Sequence, residues 1–167
     1  MNTTATNPIL SAADIARKIR RMAFEVAERN ADCSSLIIAG VAGNGVVVAK
    51  NVIQELKNII SCSIEFVTIN IDKQNPVEAT VDTDMNFDGK TVILVDDVAN
   101  SGKVLLYSLK PFIAAQPTSI QTLVLVERSH KLFPIHSDYV GLSIATTLQE
   151  HITVRTEGEA VTGAWLH

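Results

Sequence analysis

The sequence predicts an α/β fold with a mainly parallel central sheet flanked by helices. Three observations point there. Short runs at residues 36–41, 91–95 and 120–126 are apolar almost throughout, the pattern of strands buried on both faces rather than one. Stretches with helical spacing of apolar residues stand between them. The passage from run to helix is made by glycine-containing turns, at Gly43-Asn44-Gly45 and at Ser101-Gly102. Strands alternating with helices imply right-handed crossovers and parallel pairing.

Residues 1–8 are polar and expected to be loose. Ser11 followed by Asp14 is a helix start, and Ile15, Ile19, Met22, Ala23 and Val26 recur at helical spacing. An amphipathic helix of about 11–29 follows, ending near Asn30, with Arg17, Lys18, Arg20 and Arg21 read as partly a solvated face. The strand at 36–41 is broken by the glycine turn, and a helix runs from Val46 to about Asn58. Residues 63–71 alternate in part and favour a strand. Residues 72–90, acidic and containing Pro76 and Gly89, read as a long loop or hairpin. Thr91 to Val95 is the strongest buried-strand signal, followed by a helix of about 103–115 that Pro117 closes. After the strand at 120–126, residues 128–150 read as irregular, and 152–155 as a last strand. No repeat, low-complexity tract or linker divides the chain, so a single domain over 1–167 is expected.

Composition narrows the class of function. Lys plus Arg number 14 against 18 Asp plus Glu, a formal net charge of −4. That balance argues against a protein that coats nucleic acid, which needs surplus positive charge to displace counterions. Cys33 and Cys62 show no metal spacing. They read as small, buried apolar residues in a reducing cytosol, with a disulfide or reactive thiol as the other reading. No run reaches the ~18 apolar residues of a membrane helix. The first residues lack a signal-peptide pattern, so a cytoplasmic location without membrane contact is expected.

The chemistry concentrates in Val92 to Lys103. Asp96 and Asp97 follow a buried apolar run, and in open α/β sheets the ligand crevice lies outside the carboxyl ends of the strands. Vicinal carboxylates suit two tasks, accepting hydrogen bonds from a sugar diol and anchoring Mg²⁺ directly or through water. Ala99, Asn100, Ser101, Gly102 and Lys103 then lead into a helix start, where backbone N–H groups make a phosphate cradle. Ser101 adds a hydroxyl, and Gly102 permits close approach or an unusual dihedral. A helix N-cap alone explains one carboxylate, but not both together with the glycine turn.

A hydrophobic strand, two acids, two spacers and a Ser-Gly turn resemble the sugar-diphosphate signature of the type I phosphoribosyltransferases. The resemblance implies that Asp96 and Asp97 hold the ribose hydroxyls of 5-phosphoribosyl 1-diphosphate, that residues 99–103 hold its 5-phosphate, and that Mg²⁺ accompanies it. In that family the loop after the first core strand binds diphosphate through its backbone, often with a strained or cis non-proline peptide. Ala42, Gly43, Asn44 and Gly45 stand in that place. Residues 124–141 resemble the hood segment of the pyrimidine-operon attenuator group, whose members bind regulatory mRNA and act as uracil phosphoribosyltransferases. The likeness spans about residues 9–156. It implies the type I fold with a small hood at about 128–150, a flexible loop at about 70–87, assembly into homo-oligomers, and transfer to a nucleobase, uracil foremost. His130 and His136 read as hood or surface structure rather than catalysts.

The chain also departs from that pattern. The group's Thr-Arg-Gly is Gly43-Asn44-Gly45 here, which removes a charge-assisted donor at Asn44. Its Tyr-Thr-Gly-Arg-Thr becomes Asn100-Ser101-Gly102-Lys103-Val104, with Lys103 keeping charge but not the guanidinium fork. Asn100 stands where hypoxanthine-type relatives carry an aspartate, which disfavours a 6-oxopurine. The 70–87 segment has Lys73 as its only cation among Asp72, Glu78, Asp82 and Asp84. Those acids either repel a diphosphate unless Mg²⁺ intervenes, or point to solvent. Three readings stand: a phosphoribosyltransferase, a weakly active or inactive sensor of sugar diphosphate or nucleotide, and an RNA-binding attenuator. The acidic balance disfavours the last.

Overall fold

The structure, a computed structural model, describes residues 7–167. In chain order the elements are β1 (Asn7–Ser11), α1 (Ala12–Arg29), β2 (Ser35–Val41), α2 (Asn44–Leu56), β3 (Ser63–Ile71), β4 (Ala79–Val81), β5 (Thr91–Ala99), α3 (Lys103–Ser108), α4 (Lys110–Ile113), β6 (Ser119–Arg128), β7 (Tyr139–Ile144), β8 (Ile152–Glu157) and β9 (Ala160–Leu166). The main sheet has the order β4-β3-β2-β5-β6-β7. Its pairings are parallel except that of β3 with β4. A second, antiparallel sheet has the order β1-β9-β8.

Alternation along the buried strands sorts side chains into two cores. Leu36, Ile38, Ile93 and Val95 face α1, α2 and the small sheet. Ile37, Ala39, Val92 and Leu94 face the α3–α4 side with Phe87 and Phe112, whose rings meet edge to face at 4.9 Å. Both faces of β2 and β5 are therefore buried, as their unbroken apolar runs require.

Helix α1 begins as its sequence dictates. The Asp14 N–H donates to the Ser11 hydroxyl oxygen, and the Ser11 N–H donates back to the Asp14 carboxylate. Ile15, Ile19, Met22, Ala23 and Val26 are all buried, each larger side chain contributing on the order of 1.5–3 kcal/mol. The basic cluster is solvated in part: Arg17, Arg20 and Arg21 are exposed, yet two of the four residues also reach β7. Lys18 Nζ donates to the Gly141 carbonyl at 2.9 Å, and Arg21 donates to the carbonyls of Val140 and Gly141 at 2.8 and 3.1 Å. Arg17 pairs with Asp14.

Four expectations change. Of the N-terminal residues expected to be loose, Asn7 and Pro8 belong to β1, paired with β9; residues 1–6 lie outside the described part. The helix expected at 103–115 is two short helices, because Pro111 lacks an N–H and its ring crowds the carbonyl four residues back. The stretch read as irregular contains β7, and the expected last strand is longer and returns through β9. In β7, a Cβ on Gly141 would stand 2.3 Å from the Leu125 carbonyl oxygen, so the glycine permits close strand packing. No described helix is long and apolar enough to cross a membrane.

Candidate functional site

A cavity of about 390 Å³ opens at the carboxyl end of β5, between the turn into α3, the start of α2 and β8. Of the residues singled out from sequence, Asn44, Asp96, Asp97, Ala99, Asn100, Ser101 and Gly102 line it together. Ala42, Gly43, Gly45 and Lys103 are not in its wall.

The acids stand within β5 rather than after it: Asp96 is in register with Val124, three residues before the strand ends. Asp96 is 2% and Asp97 8% exposed. The Asp96 Oδ1 atom accepts from the Asp97 N–H at 2.9 Å and from Lys73 Nζ at 3.2 Å. Lys73 Nζ lies 3.7 Å from Asp97 Oδ1, while Asp97 Oδ2 accepts from the Asn44 amide at 3.0 Å. Burial, and then the Asp97 charge, push the Asp96 carboxyl up to about 8, against the pull of Lys73. Burial depresses the Lys73 ammonium, but the two carboxylates outweigh it and its pKa is raised.

Lys73 is the only contribution of residues 72–90 to the cavity wall. The acids of this segment are directed elsewhere. Asp72 accepts from the Gln74 N–H, Asp82 from the Thr68 N–H, and Glu78 pairs with Lys110. Asp84 is exposed. The outward-pointing alternative holds for all four.

The glycine turn before α2 is built differently from expectation. No peptide among the described residues is cis; the turn is made by Gly43 at φ +91°, a region that favours glycine. Gly45 is buried against Asp96, whose Oδ1 would lie 2.9 Å from a Cβ there. Ala42 donates its N–H to the Ile69 carbonyl, continuing the β2–β3 pairing.

The turn into α3 has Gly102 at φ +83°, where a Cβ would stand 2.6 Å from Ile135 Cγ2. The Ser101 carbonyl accepts from the N–H groups of Leu132 and Phe133 at 2.9 and 3.0 Å, so the 129–138 loop lies directly on the turn. Residues 139–144 of the segment expected as hood join the main sheet as β7. Lys103 donates its N–H to the Ser101 hydroxyl oxygen, but its ammonium lies 5.9 Å from the Phe133 ring centroid rather than in the cavity wall. The Asn100 Oδ1 atom is shielded from solvent with no donor among the described residues. His130 and His136 are exposed and away from the cavity.

Sequence reasoning missed the far wall, Ile152 to Val154 of β8. Asn44 bridges to it, donating to the Val154 carbonyl at 2.9 Å and accepting from the Thr156 hydroxyl at 3.0 Å. Nothing local in the sequence announces a contact between residues 110 positions apart.

The donor set can accept hydrogen bonds from vicinal hydroxyls at the carboxylates and give them to an anion from the turn. It also suits Mg²⁺, which is usually held by one or two carboxylates while substrate phosphates and water complete its shell.

Comparison with known proteins agrees with this geometry. Residues 6–157 match the family model described as phosphoribosyl transferase domain. The pyrimidine operon regulatory protein of Lactococcus lactis subsp. lactis is 32% identical over 156 residues, covering 90% of each chain. The bifunctional protein PyrR of Clostridioides difficile is 35% identical over 150 residues, covering 84% of this chain and 85% of that one. Among solved structures, the hypoxanthine phosphoribosyltransferase of Trypanosoma cruzi in complex with the product IMP aligns with a TM-score of 0.80 at 16% identity. That alignment covers 98% of this chain and 86% of the other. A hypoxanthine-guanine phosphoribosyltransferase of Bacillus anthracis aligns with a TM-score of 0.71 at 20% identity, covering 83% and 82%. The solved structures speak to the fold.

Proposed function

Because this chain belongs to the phosphoribosyl transferase domain family, we propose that it binds 5-phosphoribosyl 1-diphosphate and transfers ribose 5-phosphate to a nucleobase, uracil foremost, giving uridine monophosphate. The observation that carries the reading is the meeting of Asp96, Asp97 and the Ala99–Gly102 turn in one cavity wall.

In this reading the two carboxylates accept from the ribose hydroxyls, and the N–H groups of the turn, with the Ser101 hydroxyl, hold the 5-phosphate at the start of α3. Asp96 and Asp97 are the protein's share of a Mg²⁺ site; when bound, the ion neutralises charge on the diphosphate. The bond from the anomeric carbon to diphosphate breaks as the bond to the base nitrogen forms; diphosphate leaves with the electron pair, and the proton of the base N–H passes to solvent. The chain contributes orientation and fixed electrostatics rather than a nucleophile. Uracil is favoured by relatives named pyrimidine operon regulatory protein. A cytoplasmic, homo-oligomeric protein is the setting this family suggests.

One observation favours a second reading, a sensor of sugar diphosphate or nucleotide with weak turnover. The Asn44 amide is occupied by Asp97 and Val154, and Lys73 rests on the acids. The RNA-binding reading is weakened because Lys18 and Arg21 are engaged by β7.

The test is a product assay with Mg²⁺, 5-phosphoribosyl 1-diphosphate and uracil, with cytosine, hypoxanthine, xanthine, guanine and orotate in parallel. Uridine monophosphate that disappears with Asp97→Asn is the expected result. No nucleotide from any base removes the transferase reading and leaves the sensor.

A further inference from the structure

We propose that Asn44 is a positioning residue for Asp97, and that the other hydrogen bonds of its side chain anchor it on the small sheet. An asparagine amide has two N–H donors and one carbonyl acceptor. Here Nδ2 donates to Asp97 Oδ2 at 3.0 Å and to the Val154 carbonyl at 2.9 Å, while Oδ1 accepts from the Thr156 hydroxyl at 3.0 Å. Both donors are engaged within the protein. The side chain that stands in the expected diphosphate loop therefore has no N–H left for a ligand phosphate. Its work is internal: it joins β5 of the main sheet to β8 of the small one.

The consequence falls on Asp97. A carboxylate beside an open cavity turns freely about its last torsion unless its oxygens are held. Asp97 has a donor on Oδ2 from Asn44 and the Lys73 ammonium 3.7 Å from Oδ1. Held on both sides, its plane is set before a ligand arrives, and acceptors already in place avoid reorganisation on binding. Asn44 is neutral, so its share of the hold, unlike that of Lys73, cancels none of the charge that a cation or a hydroxyl pair needs. The neighbouring residue serves the other acid by absence: a Cβ on Gly45 would stand 2.9 Å from Asp96 Oδ1. Gly43-Asn44-Gly45 thus sets both carboxylates, one by an amide and one by space.

The functional meaning rests on reading the cavity as the ribose site; the contact itself does not. The experiment pairs Asn44→Ala with Thr156→Val, which removes the hydroxyl from the cross-sheet tie without touching Asp97. Melting temperature and calorimetric affinity for 5-phosphoribosyl 1-diphosphate with Mg²⁺ are measured for each. We expect both variants to melt lower. Only Asn44→Ala loses affinity, by about tenfold or more, the loss typical of one hydrogen bond to a charged group. Equal losses of affinity in the two, tracking melting temperature, or wild-type affinity in Asn44→Ala, overturn the proposal. An independent arm follows the Asn44 side-chain amide protons by NMR in the unliganded wild type. They should exchange slowly with solvent and shift on Asp97→Asn; rapid exchange, as in an exposed asparagine, also overturns it. If the wild type binds no sugar diphosphate, the transferase reading fails, and the amide arm decides the role of Asn44 by itself.

Discussion

The Lys73 ammonium stands 3.2 Å from Asp96 Oδ1, bringing a cation from the segment after β3 onto a carboxylate of β5. The carboxylate is 2% exposed and the lysine side chain 40%. A flexible stem from the surface thus supplies the counter-charge for a buried acid, and anything cationic that enters must compete with it.

Lys73→Met removes that competitor. Binding of Mn²⁺ alone, followed by electron paramagnetic resonance at pH 8.5, should strengthen by about tenfold, a modest share of the attraction between charges this close. Unchanged or weaker Mn²⁺ binding would mean that the lysine does not contest the acids.

Asp96 gives stability a definite pH dependence. Its folded pKa of about 8 lies above the ordinary aspartate value of 3.8, so the folded state keeps a proton that the unfolded state has lost between those values. Stability from this group is full below the lower value and declines as pH rises to about 8. Asp96→Asn mimics the neutral acid and removes the titration. The melting temperature of the variant minus that of the wild type should grow from pH 5 to about 8 and then level off. A difference that stays flat across that range contradicts the raised pKa.

Gly102→Ala meets two obstacles at once, a φ of +83° and Ile135 Cγ2 at 2.6 Å. The backbone penalty alone is about 1–2 kcal/mol. Denaturant unfolding should show at least that loss. Adding Ile135→Ala should restore only the part due to the clash, because a smaller side chain opposite does nothing for the dihedral. Full recovery in the double variant would assign the whole cost to packing.

Cys33 and Cys62 approach to 3.8 Å between sulfurs. Burial first, and Cys62 second, push the Cys33 thiol up from 9.0 to about 11. Since the thiolate is the nucleophile, Cys33 should alkylate with iodoacetamide far more slowly at pH 8 than free cysteine. Its rate should still be climbing at pH 10. Peptide mass spectrometry over a pH series reads both; a rate that levels off near pH 9 contradicts the shift.

What the sequence made legible followed from local rules. The strand at 63–71 and the capping box at Ser11 and Asp14 lie where periodicity and capping chemistry put them. The acids and the Ser-Gly turn were legible because they are contiguous with a buried strand. The far wall was not, because Ile152 to Val154 reach the cavity only through a second sheet closed by β1 and β9, a long-range pairing with no local mark. Asn44 was legible as a departure but not as a contact: its partners lie 53, 110 and 112 positions away. For Lys103 the position in the turn was legible, while the course of its side chain towards Phe133 of a loop distant in sequence was not.

The grip of α1 on β7 reaches beyond the chain itself. β7 is an outer strand of the main sheet, the kind of margin at which a second polypeptide adds by backbone pairing. Lys18 and Arg21 already occupy the oxygens of Val140 and Gly141. At the opposite margin β4 offers only three residues. β7 with two carbonyls taken, and β4 with three residues, each offer an incoming strand only a short or interrupted run of free backbone.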